Sequence, residues 1–71
     1  MTRVEIDPNV RTRGNETYAR TDEADGDLNI GDAVILYESE DRIEWDGTVT
    51  RFDRGLVYFR VDWANVREMT R

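Results

Sequence analysis

A chain of 71 residues with 38% hydrophobic side chains can form one small domain, since a chain of this length buries only about 60% of the surface that it exposes when unfolded. It contains no cysteine and no histidine, which excludes disulfides, thiolate nucleophiles and the usual Cys/His zinc sites. The formal net charge of -6 argues against a protein that coats duplex nucleic acid by neutralising phosphates.

The basic residues of the chain are all arginine. This bias is typical of GC-rich genomes and, with the small size of the chain, it fits an accessory protein of a phage or mobile element. No segment approaches the roughly 20 apolar residues of a membrane span, and the N-terminal segment lacks a hydrophobic signal core. We therefore expect a cytoplasmic protein without membrane contact.

The first 27 residues are poor in apolar side chains and are interrupted by Pro8 and Gly14. This composition predicts a flexible or loosely docked N-terminal arm over residues 1–27, in which residues 16–20 add one short strand. The charge then changes along the chain, because residues 21–48 hold ten acids and one arginine, whereas the segments on either side are weakly basic. The sequence therefore predicts an acidic band between two mildly basic ends.

Residues 28–71 carry the pattern of an all-β domain. Four segments are rich in β-branched and aromatic residues or alternate between apolar and polar side chains: 33–37, 43–52, 56–63 and 66–69. Gly47 in the second segment predicts a bulge or a sharp bend, and the run from Asp53 to Gly55 predicts a tight hairpin turn. Short strands at this spacing are typical of a small antiparallel barrel.

Neither a metal site nor a catalytic site is expected from the residues present. The acidic segment 25–32 has oxygen ligands at alternate positions, but Ile30 and Leu36 stand where the calcium loop of an EF-hand requires glycine and glutamate. Ser39 has no histidine or lysine to activate it, and so short a chain can scarcely build the deep cleft that paired catalytic carboxylates need. We therefore predict a protein that is not an enzyme and has no cofactor.

Four short motifs between residues 30 and 69 carry a family resemblance: GDAV at 31–34, SED at 39–41 leading into Trp45, GTV at 47–49 and VDWANV at 61–66. They resemble the Tudor pattern, within the wider group of Src-homology-3-like small β-barrels. The resemblance implies a five-stranded antiparallel bent barrel over residues 28–71 that binds a partner between its loops. In Tudor domains an aromatic cage holds a methylated arginine or lysine by cation–π attraction.

The resemblance assigns three residues of this chain to such a site. Trp45 and Trp63 stand at positions of cage aromatics, and Asn65 matches the polar residue that orients the ligand. Two further wall positions hold Glu38 and Arg60, which supply no aromatic ring. The resemblance therefore predicts the barrel more strongly than it predicts binding of a methylated ligand.

The predicted contact surface depends on exposed aromatic residues. Alternation along 56–63 places Tyr58 and Arg60 opposite the inward side chains, so Tyr58 is the predicted exposed aromatic. Trp45 and Trp63 are interpreted either as partner contacts or as fillers of the core. We predict a non-enzymatic protein-interaction module, a small accessory or adaptor protein that is a monomer or weak dimer, with these binding residues: Trp45, Tyr58, Arg60, Trp63 and Asn65.

Two alternative functions stay open at this point. The half of the chain after residue 50 is rich in arginine and aromatic residues, a composition with which small barrels bind single-stranded nucleic acid by stacking bases. The acidic band would instead allow the chain to imitate DNA and occupy a basic protein, although a charge of -6 is modest for such a mimic.

Overall fold

Six β-strands form one strongly curled sheet in the computed structural model, which describes residues 1–24 and 26–69. The strands are β1 (Arg3–Glu5), β2 (Thr17–Arg20), β3 (Ala33–Glu38), β4 (Ile43–Asp53), β5 (Leu56–Val61) and β6 (Arg67–Glu68). A single 3-10 turn at Thr21–Glu23 is the helical element of the described residues. The predicted all-β class is confirmed, and the sheet has the shape of a half-barrel.

The strand order is β1-β3-β4-β5-β2, and β6 pairs with the first residues of β4. Strand β1 runs parallel to β3, whereas the other pairs are antiparallel. An isolated bridge between Val4 and Ala24 brings the chain that follows β2 next to β1. The predicted five-stranded antiparallel barrel therefore differs from the structure, which has six strands and a mixed sheet.

Alternation of side chains builds the core on the inner face of the curled sheet. The positions at period two in β3, in β5 and in β4 as far as Val49 face the core, and the intervening positions lie on the outer face. The buried apolar residues are Val4, Ile6, Ala19, Val34, Leu36, Trp45, Val49, Val57, Phe59 and Val61. Each large member of this set contributes about 1.5–3 kcal/mol by its removal from water.

The N-terminal segment contributes more to the sheet than the predicted arm would. Val4 is fully buried and Ile6 is 5% exposed, and both lie on the inner face while Glu5 points outward. The predicted short strand near residues 16–20 is confirmed as β2, but β1 was missed. Its three residues are too few to display a pattern, and its partner on β3 lies about thirty positions further along the chain.

The bend in β4 lies at Thr50 and not at Gly47, where we expected it. The register between β4 and β5 shifts between Val49 and Arg51, which leaves Thr50 as the extra residue of a bulge. Gly47 has a different role, because a Cβ atom there would lie 2.5 Å from Cδ1 of Leu36. The absence of a side chain at Gly47 therefore allows β3 and β4 to pack Leu36 into the core.

The hairpin between β4 and β5 agrees with the prediction. Arg54 and Gly55 connect the two strands and have φ angles of 53° and 80°. Positive φ at both central residues is characteristic of a type I′ turn, whose twist matches that of the flanking strands. The predicted final strand is also present, as the two-residue β6.

Candidate binding surfaces

The two tryptophans pack against each other at the edge of the core. Trp45, on the inner face of β4, is 5% exposed, and its ring lies edge-on to that of Trp63 with 5.3 Å between centroids. The Nε1–H of Trp63 donates a hydrogen bond to the carbonyl of Asn15 at 2.7 Å. The guanidinium carbon of Arg11 lies 3.8 Å from the centroid of the Trp63 ring. Trp63 therefore joins the loop before β2 to the turn after β5.

Asn65 lies in an exposed turn that follows β5. Its side-chain N–H donates to a carboxylate oxygen of Asp62 at 2.7 Å, and its backbone N–H donates to the Asp62 carbonyl at 3.1 Å. Glu38, one of the two wall positions without an aromatic ring, accepts hydrogen bonds from the backbone N–H groups of Glu40 and Asp41. The structure thus gives Asn65 and Glu38 contacts that hold turns.

The structure separates the predicted site residues into two groups. Trp45 and Trp63 meet at the core, whereas Tyr58 and Arg60 lie on the outer face of β5. Tyr58 lies on the outer face as predicted, between the fully buried Val57 and Phe59, but it is half-buried and not exposed. The exposed aromatic residues are Tyr18 and Phe52.

Tyr58 forms part of a surface that we call the tyrosine patch, defined by Tyr18, Arg51 and Tyr58. Tyr18 of β2 and Tyr58 of β5 are directly opposite each other, with ring centroids 5.4 Å apart. The guanidinium carbon of Arg51 lies 3.7 Å from the centroid of Tyr58. Tyr18 is 36% exposed and Arg51 is exposed, so the patch presents two rings and a cation to solvent.

A network under the tyrosine patch holds Arg51 in place. The bulge at Thr50 aligns Arg51 with Tyr58 across the β4–β5 pair. Glu16 receives a hydrogen bond from the Thr50 hydroxyl at 2.5 Å, and its other carboxylate oxygen lies 3.6 Å from Nη2 of Arg51. Because these contacts come from three elements, the patch is ordered before any partner binds, which lowers the entropy cost of binding.

The ring partner of Tyr58 in the structure is Tyr18, which the sequence did not identify as a site residue. Tyr18 lies between the small residues Thr17 and Ala19, which both face the core, and this alternation along β2 is the pattern that indicates its outward position. The pairing of β2 with β5 carries no such local signal, because the two strands are separated by more than thirty residues.

A second outer-face cluster is an ion-pair network that attaches β6 to the sheet. Arg67 contacts Glu44 at 3.0 Å and Asp46 at 3.0 Å, and Arg3 of β1 lies 3.5 Å from the same Glu44. The hydrogen bond that Arg67 donates to Asp46 and, to a smaller extent, the one that it donates to Glu44 raise the pKa of Arg67 above its ordinary value. Arginine is already charged throughout the physiological range, so the shift leaves its charge unchanged there.

An open groove of about 630 Å³ separates β1 from β2, and we call it the β1–β2 groove. The apolar residues among its lining are Ile6, Val10, Ala19 and Leu56, and Tyr18 and Tyr37 also line it. A smaller hollow of about 370 Å³ shares Glu5, Ile6 and Asp7 with the groove. The hollow also includes the loop between β3 and β4.

Comparison with known proteins identifies no relative. No family model, no curated protein and no solved structure matches this chain.

Among residues 1–24 and 26–69, no group of three or more acidic, histidine or cysteine side chains is placed to hold a metal ion. Within the same residues, no helix has the length and apolar character needed to cross a bilayer. The curled all-β sheet is compatible with a Src-homology-3-like barrel.

Proposed function

We propose that this protein is a non-enzymatic protein-interaction module, a small adaptor or accessory protein of Tudor-like type that binds its partner through the tyrosine patch. The observation that carries the proposal is the ordered pair of Tyr18 and Tyr58 with Arg51 over the Tyr58 ring. Tyrosine and arginine are enriched among the residues that dominate the energetics of protein interfaces, and tyrosine offers a large contact area at a low entropy cost. Arg60, exposed two residues after Tyr58, adds a charge at the margin of the patch.

The tryptophan pair gives less support to a methylated ligand. One contact of the Trp63 ring is the chain's own Arg11, and the Trp45 ring is almost wholly buried. A cation from a partner would have to displace Arg11 before it could reach the Trp63 ring at this place. Arg51 covers the Tyr58 ring in a similar way, but Arg51 is exposed and is itself part of the proposed contact surface, so a partner can bind the tyrosine patch with Arg51 in place.

Nucleic-acid binding through the C-terminal half also has less support. Phe59 is fully buried, so it offers no face on which a base can stack. Arg67 already pairs with two carboxylates, and Arg51 pairs with Glu16. An arginine that binds a phosphate releases small cations condensed on the nucleic acid, but these arginines would first have to give up their carboxylate partners.

The proposal is tested by replacing Tyr58 and an exposed aromatic outside the patch. Phe52 is the matched control, because it is 44% exposed and lies on the neighbouring strand. Proteins captured from cells that produce this protein are compared for the wild type, Tyr58→Ala and Phe52→Ala. We expect a partner that the wild type and Phe52→Ala retain and that Tyr58→Ala binds at least about tenfold more weakly in titration.

Thermal melting of the same variants separates binding from folding. We expect Tyr58→Ala to cost about 1 kcal/mol of stability, from the lost ring pair and cation–π contact. A partner that Tyr58→Ala binds with unchanged affinity would overturn the assignment of the patch. Salt-sensitive binding of a single-stranded oligonucleotide, with NMR shifts at Tyr58 and Arg60, would favour the nucleic-acid alternative.

A further inference from the structure

The two end strands of the sheet approach each other without pairing along their length. In the strand order, β1 and β2 stand at opposite ends. The curl of the sheet brings them together, and the bridge between Val4 and Ala24 joins the chain after β2 to β1. On one side of that bridge lies the β1–β2 groove, lined by Glu5 from one strand and by Tyr18 and Arg20 from the other. The half-barrel is therefore open at this seam.

The backbone of β2 directs hydrogen-bonding groups away from β5 at two positions. The N–H of Thr21 donates to the carbonyl of Gly55 at 3.0 Å, in the same register that pairs Arg20 with Leu56. Hydrogen-bonded and non-hydrogen-bonded positions alternate in an antiparallel pair. The N–H and C=O groups of Tyr18 and Arg20 therefore point away from β5, at the edge that lines the groove.

On the opposite wall of the groove, the backbone N–H and C=O groups of Glu5 also point away from the neighbouring strand. On either side of β1, the N–H of Ile6 donates to the carbonyl of Tyr37 at 2.9 Å, and the carbonyl of Thr2 accepts from the N–H of Ile35 at 3.0 Å. In a parallel pair the residues that bond to the partner strand also alternate. The backbone groups of Glu5 therefore point away from β3, toward the chain that the bridge between Val4 and Ala24 brings alongside β1. The edge of β2 is thus the one that offers its backbone groups to an added strand.

The groove and the adjoining hollow carry a strong excess of negative charge. Arg20 is the one arginine among their described lining residues, and it already pairs with Asp22 at 2.7 Å. None of the lining carboxylates forms an ion pair within residues 1–24 and 26–69. These carboxylates are Glu5, Asp7, Glu23, Glu38, Glu40 and Asp41.

We propose that the β1–β2 groove binds an extended basic segment of a partner protein, which adds to the edge of β2 as a further strand. Main-chain hydrogen bonds supply affinity in this mode of recognition, and alternate side chains supply specificity. The inner side chains of the added strand face Ile6 and Ala19, which suits apolar residues. Its outer side chains lie beside Tyr18, Tyr37 and Glu5, which suits arginine or lysine.

Charge selects a foreign segment over a second copy of this chain. Each copy carries a net charge of -6, so two copies repel each other, whereas a basic segment is attracted to the unpaired carboxylates. The groove shares only Tyr18 with the tyrosine patch, and the inference holds whether or not the patch binds a partner.

Arg20 offers a direct test of strand addition. Its φ angle of -71° suits proline, and its N–H does not pair with β5. Arg20→Pro therefore removes one groove-facing donor while it keeps the backbone shape, and Arg20→Ala removes the same side chain but retains the donor. The probe is a short acetylated peptide that alternates valine and arginine, titrated against labelled protein and followed by NMR and calorimetry.

We expect the peptide to shift the amide signals of Glu5, Tyr18 and Arg20 and to slow hydrogen exchange at Tyr18. Arg20→Pro should bind the peptide about three- to tenfold more weakly than Arg20→Ala does, the effect of one lost hydrogen bond. The double variant Glu5→Gln/Glu23→Gln should weaken binding and reduce its dependence on salt. A peptide that alternates valine and glutamate should not bind.

Three results would overturn the inference. The first is that the wild-type protein does not bind the peptide although its NMR spectrum shows that it is folded. The second is equal affinity of Arg20→Pro and Arg20→Ala, both folded, because an added strand needs the Arg20 donor. The third is binding that Tyr58→Ala abolishes, since this would place the peptide on the tyrosine patch. If Tyr58→Ala binds the peptide with wild-type affinity, the groove and the tyrosine patch are separate sites. One proposal can then be refuted without refuting the other.

Discussion

Single residues determine how closely the strands of this small sheet approach one another. Gly47 lies on the inner face of β4 opposite Val34, and the side chain of Leu36 fills the space that a Cβ atom at Gly47 would need. The backbone carbonyl of Arg60 lies 3.2 Å from the same position, so the neighbouring strand cannot yield by rotating a side chain. The glycine is therefore required by packing and not by a special φ angle.

We expect Gly47→Ala to destabilise the protein by about 1–3 kcal/mol, the usual effect of overpacking a core. The reason is that the added methyl group would meet Leu36 at 2.5 Å. Gly14→Ala is the matched control, because the nearest side-chain atom there is 4.0 Å away, and this change should leave stability within about 1 kcal/mol. Urea unfolding of both variants measures the difference, and equal midpoints would refute this role of Gly47.

At the scale of elements, the sequence predicts best where pattern and partner are local. Alternation over 56–63 identified β5 and the outward position of Tyr58, and the residues around Gly55 identified the hairpin that joins β4 to β5. Strand β1 and the partner of β2 were not predictable in this way, because their pairing depends on the whole sheet. The candidate site was therefore predicted only in part, since Tyr18 reaches Tyr58 through such a distant pairing.

The hairpin itself allows a stabilising change. Arg54 has a φ angle of 53°, a conformation that a side chain with Cβ adopts at some cost, whereas asparagine tolerates it. We expect Arg54→Asn to stabilise the protein by about 0.5–1 kcal/mol and Arg54→Val to destabilise it, because Arg54 is exposed and the exchange removes no core contact. Thermal melting checks both. If Arg54→Val proved as stable as Arg54→Asn, the turn would not have the type I′ form.

At the scale of the whole molecule, the chain before β2 supplies one strand of the sheet and two side chains of the core, and its contribution to stability can be measured. A domain of 71 residues has a free energy of unfolding of about 4–11 kcal/mol, so the loss of a few core contacts can unfold it. Val4 of β1 and Ile6, the residue that follows β1, point into the core, whereas Arg3 and Glu5 point to the outer face. This alternation along residues 3–6 separates the contribution of the core from that of the surface.

We expect the double variant Val4→Ala/Ile6→Ala to lose about 4–7 kcal/mol, because each truncation removes apolar contacts and leaves a cavity. Such a loss is comparable with the total stability, so circular dichroism at room temperature should show a largely unfolded chain. The control Arg3→Ala/Glu5→Ala alters the outward positions and should cost about 1 kcal/mol, since Arg3 contributes an ion pair with Glu44 at a half-exposed site. A loosely docked N-terminal arm would instead give small and similar losses for both double variants. That result would also remove one wall of the β1–β2 groove, because the groove exists only where β1 is held against β3.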